Sequence, residues 1–242
     1  MLLSDYLILF LSVISGGGLY FLIKNPGPGF LKLLLSFSGA FLFAITVLHL
    51  MPEVYSGSVP KIGIWIMAGF FVQIILEFFS EGIEHGHVHV HHHQHDAFPI
   101  TMMISLCLHS FLEGMPLAGG GHAGHDHGSH QSLLFGIALH HIPVAFALLS
   151  MLVASGIGNK KAFFYLTVFA LMGPLGAFTG TIAATGSLNI IAGYQDQIMA
   201  IVIGIFLHIS TTILFETSSD HRFNLYKMMA ILLGGIIGIL AS

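Results

Sequence analysis

The sequence predicts an all-α integral membrane protein of about eight transmembrane helices, a single membrane-embedded bundle over residues 1–242. Two observations carry this. Of 242 residues, 55% are hydrophobic and only 7% are charged. A soluble domain carries about 25% charged residues, so most of this chain has lipid as its solvent. The second observation is the punctuation: long apolar runs are separated by short polar or Gly/Pro stretches. At roughly 20 residues per span, about eight spans fill the chain and leave no room for a soluble domain. Backbone groups in lipid must be satisfied within the segment, so the runs are helices. The alternation of a β-barrel strand is absent.

The spans fall near residues 5–23, 30–54, 61–83, 98–118, 132–155, 162–186, 194–217 and 223–241. The first run lacks a positively charged leader and reads as a retained span rather than a cleaved signal peptide. The second ends in VLHLMPEVY, with His49, Pro52 and Glu53. The third ends in LEFFSEGIEHGH, with Glu77, Glu81 and Glu84. The fourth holds His109 and Glu113, then Gly114 and Pro116; the fifth holds His140, His141 and Pro143. The seventh contains His208 and Glu216, eight apart and roughly on one face. The single cysteine, Cys107, excludes a disulfide within the chain.

Orientation follows from the bases. Lys24, Lys32, Lys160, Lys161, Arg222 and Lys227 lie in or beside the first, fifth and seventh loops; only Lys61 falls on the other side. Both termini are therefore expected outside. The third loop, HGHVHVHHHQH (85–95), is expected in the cytoplasm, and the fourth, GGGHAGHDHGSH (119–130), outside. These two loops hold 11 of the 17 histidines, among them His87, His89, His91, His93, His122, His125 and His127. Clustered imidazoles read as metal capture, against a low-complexity tract or a tag. A tag does not suit two internal, irregular tracts.

An ionisable group inside a span costs several kcal/mol (~3 for a carboxylate at a helix centre) unless it is paired or lines a wet cavity. His109 and Glu113 are four apart, one turn apart on one helix face, and can bind one ion together. The alternative is a His–Glu hydrogen bond that neutralises both groups. Neighbours such as His140 and His141 point about 100° apart on a helix, so one cavity need not hold both. His49, Glu53, Glu81, His208 and Glu216 are candidates for an ion pathway or secondary metal binding, or are interfacial. The chain has no HExxH for a zincin protease and no GxxxxGK[ST] for an ATP-driven pump.

With these motifs in view, the whole chain resembles the ZIP (Zrt/Irt-like) family of divalent metal transporters. The resemblance rests on HLMPE (49–53), the His-rich third loop, HSFLEG (109–114), HHIPVAFA (140–147) and FLHISTTILFE (206–216). It implies eight spans, external termini, a cytoplasmic third loop and a metal centre halfway across the membrane. It assigns His109, Glu113 and His140 as the primary ligands, with Ser110 and His141 beside them. It also implies that spans one, four, five and six slide as a unit. Many members hold a second ion. Its ligands would lie at Ser110, His141, Val144 and Gly173, where this chain lacks the bridging carboxylate, so a full second site is not expected.

The expected function is transport of a divalent transition metal into the cytoplasm, zinc first and Fe²⁺, Mn²⁺ or Cd²⁺ as related cargo. The expected partners are the ion, the lipid bilayer of a bacterial inner (plasma) membrane, and a second copy of the chain as an open option. No nucleic-acid partner is expected. Two other readings are a proton-coupled metal exporter and a membrane zinc metallohydrolase with three ligands and a water. The exporter would have fewer spans and His/Asp pairs. The hydrolase needs a general base beside the water, and no residue is tied to that role. The protein is therefore not expected to be an enzyme.

Overall fold

A computed structural model describes residues 1–23, 29–80, 100–119, 127–184, 193–215 and 225–241. Among the described residues the regular elements are all helical. They are α1 (Leu3–Leu22), α2 (Phe30–Ile45), α3 (Met51–Ser56), α4 (Ile62–Ser80), α5 (Ile100–Gly114), α6 (His127–Ala154), α7 (Asn159–Ala184), α8 (Gln195–Phe215) and α9 (Leu225–Leu240). A π-helical turn over Thr46–Leu50 joins α2 to α3 in one continuous path. It ends two residues before Pro52, which has no N–H to return to the turn before it. A 3₁₀ turn, Met115–Gly119, ends α5 where Gly114 and Pro116 follow Glu113.

Seven of these paths are long and apolar enough to cross a bilayer. The eighth apolar helix, α9, has 16 residues. At 1.5 Å per residue it is about 24 Å long, short of the ~30 Å hydrocarbon core. Against the expected eight, the described residues thus hold seven helices of spanning length and one shorter apolar helix. One boundary moves appreciably: α6 begins at His127, so His127 and His130 belong to a helix where the fourth loop was expected. Glu81, Glu216, His122, His125 and the 85–95 loop with His87, His89, His91 and His93 lie outside the described residues.

Glycine decides which helices meet. Without a hydrophobic drive between helices in lipid, close approach of backbones supplies the packing. A Cβ on Gly69 of α4 would lie 1.9 Å from Ile201 O of α8, and one on Gly204 would lie 1.9 Å from Ile66 O. Gly234 of α9 meets Phe37 O of α2 in the same way at 2.2 Å. The path α2–α3, α4, α8 and α9 thus forms one group. The other group is α1, α5, α6 and α7. It has an apolar core of its own, including Val13, Met102, Leu106, Val144, Leu148, Leu166 and Phe169. A second core, with Leu42, Ile45, Leu117, Ile137 and Phe206, joins the two groups.

Candidate metal centre

Three ligand-type side chains converge in the first group. One donor atom each from His109, Glu113 and His140 lies within 4.8 Å of the others. All three residues are 0% exposed. His109 and Glu113 come from adjacent turns of α5, and His109 Nε2 lies 3.1 Å from Glu113 Oε1. His140 enters from α6, and its ring stands edge-on to that of His109 with centroids 6.2 Å apart. Two imidazoles and one carboxylate are a donor set suited to a divalent transition ion. Among the described residues this is the one such group of three.

The frame around the set is built from close contacts. Helix α5 packs along α7 rather than α6, and His109 and Glu113 of α5 meet His140 and His141 of α6 through their side chains. A Cβ on Gly114, next to Glu113, would lie 2.2 Å from Gly173 O of α7. A Cβ on Gly16 of α1 would lie 2.3 Å from Ile142 O, in the segment that carries His140 and His141. Helix α6 runs through Pro143, and α7 through Pro174, without ending. Each proline removes one rung of its helix's hydrogen-bond ladder beside the centre.

The other sequence-predicted residues divide. His141, 1% exposed, is brought to the centre but does not join the three-donor set. Its Nε2 donates to Glu113 Oε2 at 2.9 Å. Ser110 is buried one residue past His109. Its Oγ lies 3.4 Å from where a Gly173 Cβ would stand, and His141 Cε1 lies 3.6 Å from the same point. Val144 is buried among apolar neighbours of the first group. His49 and Glu53 straddle the join between the π turn and α3, and are not part of the three-donor set.

His208 of α8 lies against α4. It contacts the carboxylate of Glu77 on α4, and Phe70 of α4 packs against its ring at 4.8 Å. Sequence reading named Glu77 without pairing it. The usable signal was that Phe70 and Glu77 are seven apart on α4, on one helical face. A second pair also went unforeseen: His130 Nε2 at the start of α6 lies 3.4 Å from Asp5 Oδ2 of α1.

Apolar spans around a buried His/Glu centre define a multi-pass integral membrane protein of the metal-handling class. A family model described as the ZIP zinc transporter matches residues 84–241. The chain belongs to that family, and its members are divalent metal transporters. The match includes HSFLEG, HHIPVAFA and FLHISTTILFE, while HLMPE precedes it. No curated protein matches the chain.

Proposed function

We propose that the protein carries zinc toward the cytoplasm, through a single mid-membrane centre made by His109, Glu113 and His140. The observation that carries this reading is the convergence of those three buried donors within 4.8 Å from two helices. Three protein ligands leave at least one position on a tetrahedral ion for water. That suits a carrier, which must strip hydration on binding and return it on release. Glu113 supplies the negative charge that offsets the ion in a low-dielectric setting, and it must be deprotonated to do so.

The chain crosses the membrane eight times in this reading, with both ends outside and α9 as the last crossing. The Lys and Arg bias supports that orientation. The separate core of α1, α5, α6 and α7 supports a unit that carries the centre past the other group. His49 and Glu53 line the outer approach, and the histidines of 119–130 gather ions before it. The histidines of 85–95, with Glu81 and Glu216, receive ions on the cytoplasmic side. Fe²⁺, Mn²⁺ and Cd²⁺ are alternative cargo with the same donor preference.

The test is zinc uptake into vesicles reconstituted with purified protein. His109→Ala, Glu113→Gln and His140→Ala should each lower uptake by at least about 100-fold, more than loss of an outer-shell partner costs. Glu113→Gln is expected to be the most severe, because it removes charge while keeping shape. Native uptake by both histidine variants, with normal folded yield, would mean that the ion travels elsewhere.

A further inference from the structure

The centre contains four buried ionisable side chains, and three of them make the donor set. The fourth, His141, has a different geometry. Its ring is 1% exposed. Among the described residues its one hydrogen bond is to Glu113 Oε2, at 2.9 Å. Glu113 Oε1 faces the other way, 3.1 Å from His109 Nε2 on the ligand side. The two carboxylate oxygens therefore have separate tasks: one is held by His141, and the other looks toward the donors.

We infer that His141 is a positioning residue: it holds Glu113 by an Nε2–H donor bond and is not itself a ligand of the transported ion. This rests on the reading of His109, Glu113 and His140 as the transport centre. The carboxylate of Glu113 has a free torsion next to its carboxyl group, and without a second contact its oxygens rotate between orientations. His141 removes that freedom from the side opposite the ion. Its ring is in turn flanked by α7: Phe169 packs edge-on at 5.8 Å, and Cε1 lies 3.6 Å from where a Gly173 Cβ would stand, an ordinary contact distance. Gly16 presses α1 onto Ile142, the next residue, so the backbone carrying His141 has little play.

The consequence is a stated hierarchy among two adjacent histidines. His140 gives its lone pair to the ion. His141 gives its proton to the ligand carboxylate. An outer-shell partner of this kind changes metal affinity by 10–100-fold, through the ligand it orients. A residue that acts this way is replaceable by another donor placed at the same point, whereas a ligand is not. The amide nitrogen of a glutamine reaches where the Nε2 of a histidine lies, and a phenylalanine fills the same space without any donor.

The experiment uses the full chain in detergent with cadmium-113 as the probe, and the same variants in zinc-uptake vesicles. The centre's resonance is identified as the one lost in His140→Ala. His141→Phe should raise the KM for zinc by 10–100-fold while the cadmium resonance keeps the shift of an unchanged ligand set. His141→Gln should restore KM to within about 3-fold of native, since it returns the donor. A cadmium resonance that moves in both His141 variants as it would on loss of a nitrogen ligand, with uptake lost in both, makes His141 a ligand and overturns the inference. Native KM in His141→Phe also overturns it. If no resonance is lost in His140→Ala, the transport centre itself is misassigned, a failure distinct from the other two.

Discussion

A close backbone contact lies one residue from the carboxylate of the centre, and it makes a sharp prediction. Gly114 follows Glu113 at the end of α5. A methyl group there would lie 2.2 Å from Gly173 O and 3.0 Å from Ala177 N, where ordinary contacts begin at 3.4 Å. Both obstacles are backbone, so no side chain can swing aside. Gly114→Ala must therefore push α5 and α7 apart by roughly 1 Å, since packed interiors have no spare room. Overpacking of this size costs about 1–3 kcal/mol. The larger effect falls on the ion. Ligand distances in a metal site tolerate about 0.2 Å. A misplacement of about 1 Å is worth on the order of 100-fold in a positioned reaction. Gly114→Ala should thus fold, lose modest thermal stability, and take up zinc about 100-fold less efficiently in vesicles. Gly235→Ala in α9, with open space around the added carbon, is the control and should behave as native. Native uptake by Gly114→Ala would refute the claim that this contact sets the ligand geometry.

Other expectations follow from the same geometry. The Glu77–His208 contact joins α4 to α8, so a double-mutant cycle with Glu77→Gln and His208→Gln should return a coupling of about 1 kcal/mol in thermal unfolding; additive effects would show that the pair is incidental. Gly173→Asp introduces a carboxylate beside Ser110 and His141, and should raise the number of buried cadmium ions per chain from one to two; an unchanged stoichiometry would remove that position from ion binding. Protons compete with metal for imidazole and carboxylate donors, so uptake at fixed free zinc should rise from about pH 5.5 to about pH 7.5; a flat profile would argue that ligand protonation does not limit loading. With Cys107→Ser as background, an impermeant thiol reagent on intact cells should label Gly124→Cys and spare Val90→Cys; the reverse pattern would invert the orientation.

Sequence alone determined whatever depends on composition and on one helix at a time. So few charges exclude a water-facing surface, which makes the spans helices. The spacing of four between His109 and Glu113 puts them on one face of α5, because helical geometry is local and needs no partner. The motifs around them carried the family. What sequence could not decide was every relation between helices. Helical spacing by itself left His140 and His141 open, because neighbours on a helix diverge by about 100° and either could face α5; only the family resemblance favoured His140. Sequence named His208 and Glu77 without pairing them, and the structure brings His208 to Glu77 on α4. It expected His127 and His130 in a loop, and the helix takes them in, with His130 meeting Asp5 of α1. The physical reason is common to all three. Which side chains meet across helices depends on rotation and depth, and these are set by backbone contacts at Gly16, Gly69, Gly114 and Gly204 with residues far away in the chain. A glycine's sequence neighbours do not reveal which distant carbonyl it will touch, so the packed tertiary structure was needed to bring His140 into the three-donor group and His141 onto the other oxygen of Glu113.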